Sequence, residues 1–389
     1  MAHIAFFANY IGLAGRSGAY LSALDTLMAL LATPHRVTPI SQMLPTIPQQ
    51  LAGYRLNRPH FIKIPPPFPD QLNWALPRQS AAWLLGQRDA RSLKALKPDL
   101  LLVNSLNSQL TPNTMPHFGL PSAKQSALII HNTPSIHYLK DVDWAVRVAT
   151  RYDYLIFVSP QARQSWLVFD TLAVKRSFVI PNCGPEEKAL ALMRRPKAAV
   201  RQQLGLPEDG LIAVCVGSIQ HRKGQDLLVQ QFPLLLRCLP NLILLLVGST
   251  PGRWGQTLTH YIGRSPWANR LCYLGSRSNA LDYIYAADIL ILPSRAEAQG
   301  RVLLEAALLK TAVIATTVGG ITDVIKHQQT GLLFESDRPQ MLVEAFAQLG
   351  NDAALRRNLT EQASQRYWAH FSRSLQIQRY QAALGRMLA

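Results

Sequence analysis

Two glutamates eight residues apart, Glu297 and Glu305, flank Gly300 in the run D-I-L-I-L-P-S-R-A-E-A-Q-G-R-V-L-L-E at 288–305. A buried strand is expected to run out through Pro293 and Ser294 into a loop carrying Glu297. Gly300 then opens a helix that carries Glu305. Glycine lets backbone approach a ligand closely. The first N–H groups of the helix, those of Arg301 and Val302, have no acceptor behind them in the helix, an arrangement suited to phosphate. A carboxylate accepts well from two vicinal ribose hydroxyls, which suits Glu305, while Glu297 is placed to meet a sugar. Spacing alone does not separate this from a capping glutamate beside an unrelated helical one.

A second segment, V-C-V-G-S-I-Q-H-R-K-G at 214–224, ends a strand at Gly217 and places Arg222 and Lys223 just before the next helix. Two adjacent cations at the C-terminal end of a strand suit a diphosphate leaving group. The plainer reading is a solvated basic loop. A third segment, V-G-G-I-T-D at 318–323, leads from a strand into another helix start. Asp141-Val-Asp143 matches the metal-binding pattern D-x-D, but it follows H-Y-L-K rather than an apolar strand. It reads as negative charge at a helix N-terminus, and no catalytic metal is expected.

These residues need a scaffold, and the chain supplies one. Short apolar runs alternate with helical-period segments throughout, the pattern of βαβ units and a parallel sheet. Strands are predicted at 3–8, 36–40, 99–104, 126–130, 154–158 and 177–180, and again at 211–217, 241–247, 271–274, 288–292, 312–316 and 331–334. Helical segments between them include 18–32, 160–168, 224–238, 300–310 and 339–349. Pro181, Asn182, Cys183, Gly184 and Pro185 break the pattern, which divides the chain into domains 1–183 and 184–369, with a last helix at about 370–389 expected to return to the first. The fold class is α/β: two Rossmann-like doubly wound domains facing across a cleft, with ligands at the C-terminal strand ends.

Composition narrows the function classes. The 389 residues are 48% hydrophobic and 16% charged, which excludes a disordered chain. Lys and Arg number 40 against 23 Asp and Glu, a formal charge of +17. Residues 1–183 carry +9 and the remainder +8, so the excess is no basic tail. Such a surface attracts polyanions. The stretch Trp74–Lys97, with Arg88, Arg91, Lys94 and Lys97 beside Trp83, Leu84, Leu85, Leu93 and Leu96, reads either as a surface helix with a basic face or as an amphipathic helix on an anionic membrane. Four cysteines without a C-x-x-C pair suggest reduced thiols and a cytoplasmic location. Neither a signal peptide nor a membrane-spanning run is expected, so any membrane contact is peripheral, on the inner face of the plasma membrane.

Taken together, the three segments resemble the retaining glycosyltransferases of family 4, which have the two-domain GT-B fold. The resemblance is strongest from about 210 to 335. It rests on E-x7-E at Glu297 and Glu305, on G-S-I-Q-H-R-K-G, on A-D-I-L-I-L-P-S, and on V-G-G-I-T-D-V-I followed by T-G-L-L-F. The first half matches more loosely: G-L-A-G-R-S-G-A-Y stands for a glycine-rich turn with Gly18 at the helix start, and L-I-I-H-N-T places His131 where the family has a sugar-facing histidine. Ser218 stands where the family often has Arg. Lys223 matches the second cation of that motif, Arg222 beside it is positioned to supply the missing charge, and Arg301 replaces an apolar residue. D-x-D belongs to the other large glycosyltransferase fold.

The resemblance implies retaining sugar transfer from a nucleotide-diphosphate donor, a UDP- or GDP-sugar, with no tightly bound cofactor. Glu297, His131, Lys223 and Arg222 would be catalytic. Glu305, Gly300, Arg301, Val302, Ser218 and Gly18 would bind donor. The acceptor would be a saccharide or lipid-linked molecule, in bacterial surface polysaccharide or glycolipid synthesis at an anionic membrane. Alternatives are a basic nucleic-acid-binding protein, for which no binding motif appears, and a nucleotide-sugar epimerase or phosphorylase of similar architecture. No specific nucleic-acid partner is expected.

Overall fold

The structure is a computed structural model that describes residues 1–8, 18–41, 60–61, 97–104, 123–134, 142–173 and 175–389. It divides into two compact units. One takes the chain up to Asn182 together with Gln376–Ala389, and the other is Cys183–Leu375. The basic-aromatic stretch before Lys97, the turn before Gly18 and Asp141 lie outside the described residues.

The first unit holds a parallel sheet of β1 (His3–Ala8), β2 (Arg36–Ser41), β3 (His60–Phe61), β4 (Leu100–Asn104), β5 (Gln125–Ile130), β6 (Tyr154–Phe157) and β7 (Arg176–Val179). Its strand order is β3-β2-β1-β4-β5-β6-β7. The two-residue β3 pairs in parallel with β2 and has no counterpart among the predicted strands. It is too short to show a period. The helix Gly18–Leu31 begins at the predicted glycine. Asp143 sits in the first turn of the helix Val142–Ala149, where a negative charge meets the positive end of the helix dipole.

The second unit holds β8 (Leu211–Val216), β9 (Leu242–Val247), β10 (Leu271–Gly275), β11 (Ile289–Leu292), β12 (Ala312–Thr316) and β13 (Leu332–Phe334), in the order β10-β9-β8-β11-β12-β13. Runs such as LIAVCV, LILLLV and ILIL are apolar at every position because both faces of a parallel sheet are covered. Side chains alternate between two cores. Ile212, Val214, Leu290 and Leu292 pack with Leu304, Leu308 and Tyr367 on one face. Ala213, Cys215, Ile289 and Ile291 pack with Phe232, Phe346 and Leu349 on the other. Helices therefore cover both faces, which is the doubly wound arrangement. Burial pushes the Cys215 thiol up to about 12, so it is an inert core group.

Strand order in the second sheet reverses between β8 and β11, which pair directly. Chain leaves these two neighbours for opposite directions, and the loops at their C-terminal ends open a crevice where ligands of such sheets bind. Those loops are residues 217–224 and 293–300, the two segments singled out above.

Candidate active site

The loop after β8 closes with a short 3-10 turn, His221–Lys223, and Gly224 then starts the helix Gln225–Cys238. Gly224 has φ +69°, and a Cβ there would stand 1.9 Å from the carbonyl oxygen of Pro293. The absence of a side chain is what lets the two loops touch. Backbone joins them further: the Arg295 N–H donates to the Arg222 carbonyl at 2.8 Å. Across this contact the Lys223 ammonium donates to Glu297 Oε2. The Arg222 guanidinium lies 3.7 Å from the same oxygen and donates to the Ala296 carbonyl at 2.8 Å. Ser294, fully buried, places its hydroxyl 3.4 Å from Glu297 Oε2.

The Glu297 side chain is only 12% exposed. Burial pushes its carboxyl up, but the charges of Lys223 and Arg222, with hydrogen bonds from Lys223 and Ser294, outweigh that and hold it below the usual carboxylate range. It is thus an anion kept charged by two cations. The Gly320 N–H donates to the Glu297 carbonyl at 3.0 Å, which ties in the V-G-G-I-T-D segment. The three sequence segments meet at one residue, Glu297.

Gly300, at φ +80°, turns the chain into the helix Arg301–Leu309. Glu305 is buried on that helix, and the Arg301 guanidinium lies 3.4 Å from it, four residues back. Arg301, in the position of an apolar residue, is therefore a partner of Glu305, its side chain only 9% exposed. Val302 is half-buried and packs against the core. The Ser218 hydroxyl lies 3.3 Å from that of Ser249, and its carbonyl accepts from Gln225. In the first unit, His131 follows β5, and its Nε2 is 2.9 Å from the Oδ1 of Asn104, at the end of β4.

Arg295 was not among the expected site residues. Its guanidinium grips Asp226 with two bonds of 2.7 and 2.6 Å and also donates to the His221 carbonyl at 2.8 Å. This fork holds the turn bearing Arg222 and Lys223 against the Glu297 loop. Asp226 and Arg295 are 69 positions apart, so no spacing rule connects them. A cation two residues before Glu297 was the one available signal. Among the described residues no group of three His, Cys, Asp or Glu side chains could hold a metal ion.

Comparison with known proteins agrees with this geometry. Two Rossmann-like sheets in one chain are the GT-B architecture. The chain superposes on Anabaena HepE, solved with UDP and glucose, over 99% of its own length and all of HepE's, with TM-score 0.75 and 19% identity. It superposes on sucrose-phosphate synthase from Thermosynechococcus elongatus over 99% of both chains, with TM-score 0.73 and 21% identity. Residues 196–366 match the family model described as glycosyl transferases group 1. Among curated proteins, it is 29% identical over 161 residues to the lipopolysaccharide core biosynthesis mannosyltransferase LpsB of Rhizobium meliloti, a match over 40% of this chain and 46% of LpsB. It is 32% identical over 187 residues to the D-inositol 3-phosphate glycosyltransferase of Jonesia denitrificans, over 45% of this chain and 44% of that protein. The chain thus spans less than half the length of these relatives.

Proposed function

We propose that this chain is a retaining, metal-independent glycosyltransferase that moves a hexose from a nucleotide-diphosphate sugar to an acceptor hydroxyl. The observation that carries the proposal is the meeting of Glu297, Lys223 and Arg222 at the point where strand order reverses, beside the helix start at Gly300. As the bond between sugar and diphosphate breaks, negative charge grows on the departing phosphate. Lys223, Arg222 and the N–H groups of Arg301 and Val302 stabilise it. Fixed donors of this kind are usually the largest catalytic contribution. Glu305, steadied by Arg301, accepts from the ribose hydroxyls. Glu297 and His131 orient the transferred sugar, and the Glu297 carboxylate also steadies positive charge at the reacting carbon. Ser218 and Gly18 are further donor-binding residues.

The acceptor is a saccharide or a lipid-linked molecule at an anionic membrane surface. Surface polysaccharide or glycolipid synthesis is the process that this chemistry and the likeness to LpsB support. UDP is the first nucleotide to try, because HepE binds it; GDP is the second.

The test is thermal unfolding against UDP, GDP, ADP and CMP, each with and without its common sugars. At about 100 times the dissociation constant a ligand adds about 2.7 kcal/mol, which shows as a raised melting temperature. A shift with one base, lost in Glu305→Ala, is expected. A shift with DNA or RNA and none with any nucleotide would overturn the proposal. Turnover of the donor without an acceptor, or with phosphate alone, would replace transfer by an epimerase or phosphorylase.

A further inference from the structure

The net charge of +17 is even between the halves of the chain but not along it. Between Asp226 and Asp282 there is no Asp or Glu, while Arg237, Arg253, Arg264, Arg270 and Arg277 fall in that stretch. It forms one edge of the second sheet, where β10 is the outermost strand. The helix Arg253–Arg264 joins β9 to this strand. Its inner side is set by Gly255 and Ile262, both buried. At 100° per residue, Arg253, Trp254, Thr257, His260, Tyr261 and Arg264 fall within one outward arc of about 120°. All six are exposed, Trp254 by 37% and Tyr261 by 56%. The outward face of a surface helix ordinarily mixes both signs of charge. This one pairs two arginines with two large aromatic rings one heptad apart and has no acid.

We infer that the helix Arg253–Arg264 is a docking surface for an anionic lipid bilayer. Arginine and histidine meet lipid phosphates, and Trp254 and Tyr261 enter the headgroup level, where amphipathic rings are favoured. A helix that covers the sheet face beside the outermost strand, its Ile262 packed with Leu244 and Leu271, offers a line about 18 Å long to a flat surface. Single-stranded nucleic acid is instead held in a concave groove. The helix also adjoins the candidate site: the Trp254 ring lies edge-on to that of His221, centroids 5.7 Å apart, at the turn bearing Arg222 and Lys223. The inference gives a place to the membrane part of the proposed function. It is separable from sugar transfer, because vesicle binding is read without donor or acceptor.

The experiment is flotation of the full chain with vesicles of phosphatidylcholine alone and of phosphatidylcholine with about a third phosphatidylglycerol. The wild type should float only with the anionic vesicles and be released by salt. The double variant Y261S/R264E should bind at least about tenfold more weakly, since each charge near an anionic surface is worth about a factor of five. Its melting temperature and its nucleotide-induced shift should match those of the wild type. Arg357→Glu, an exposed position on the helix Ala353–His370, should lose far less. Equal losses in the two variants would mean diffuse attraction and overturn the assignment. So would a wild type that ignores anionic vesicles, or a double variant that loses RNA binding but keeps vesicle binding.

Discussion

Lys223 holds the Glu297 carboxyl in its charged form, and removing the lysine exposes that dependence. In Lys223→Met the carboxylate stays buried with one cation, Arg222, and the Ser294 hydroxyl left to offset it. Leaving one member of a buried pair uncompensated costs about 3 kcal/mol. The sign with pH follows from the depressed ionisation of Glu297. A carboxyl held low in the fold contributes stability above its unfolded value and loses it as pH falls through the folded value. The variant's carboxyl moves up, so its penalty is full at neutral pH and fades once both states are protonated. Urea unfolding from pH 4 to 7.5 should show a gap between wild type and variant that widens toward neutral pH. A gap independent of pH would mean that the contact contributes by packing alone. Sugar transfer should fall about 100-fold or more in the same variant, the usual consequence of deleting one preorganised donor.

The two site loops are elements as much as collections of residues, and Gly224 is where they meet. Gly224→Ala places a methyl carbon against the Pro293 carbonyl and forces a left-handed backbone on a residue that resists it. Gly205, after the helix Lys197–Gln203, has nearly the same φ, +66°, but nothing stands within 4 Å of its would-be Cβ. Gly205→Ala should therefore cost only about 1 kcal/mol, the conformational share. Gly224→Ala should cost at least about 3 kcal/mol, because strain and clash add, and should weaken nucleotide binding as the loops part. Chemical denaturation of the pair measures the difference. Equal costs would show that the second loop yields freely. Helix Lys197–Gln203 is itself pinned at a strand start, where buried Arg201 meets Asp288 at 2.8 Å and Asp288 also accepts from the Ile212 N–H.

At the scale of the whole molecule, the chain runs from one unit to the other and back. The helix Arg373–Met387 begins within the second unit, where its first N–H donates to Glu186, a residue also bonded by the Tyr367 hydroxyl. Burial raises that phenol well above its ordinary range, so the hydroxyl keeps its proton and stays a donor at neutral pH. From Gln376 onward the helix belongs to the first unit. Tyr380, Ala383, Leu384 and Met387 are buried there, with a 3.2 Å hydrogen bond between the Tyr380 and Thr26 hydroxyls. Ending the chain at Leu375 removes that surface, worth about 5 kcal/mol in apolar burial. Hydrogen exchange should then rise in β1 and the helix Gly18–Leu31 while β8 and β11 keep their protection. Unchanged exchange in the first unit would contradict the assignment. What the sequence by itself determined was the period and the punctuation. Strands of continuous apolar residues, the glycine at Gly300, and the segments bearing Glu297 and Lys223 are local features, because burial on two faces and left-handed backbone each leave a mark within a few residues. Tertiary structure alone decided that Lys223 and Arg222 rest on Glu297, that Arg301 serves Glu305, that Arg295 and Asp226 brace the turn, and that Arg253, Trp254, Tyr261 and Arg264 share an acid-free edge. Such pairings depend on how strand order reverses and which helix lies outermost, and no interval along the chain encodes a distance across a sheet.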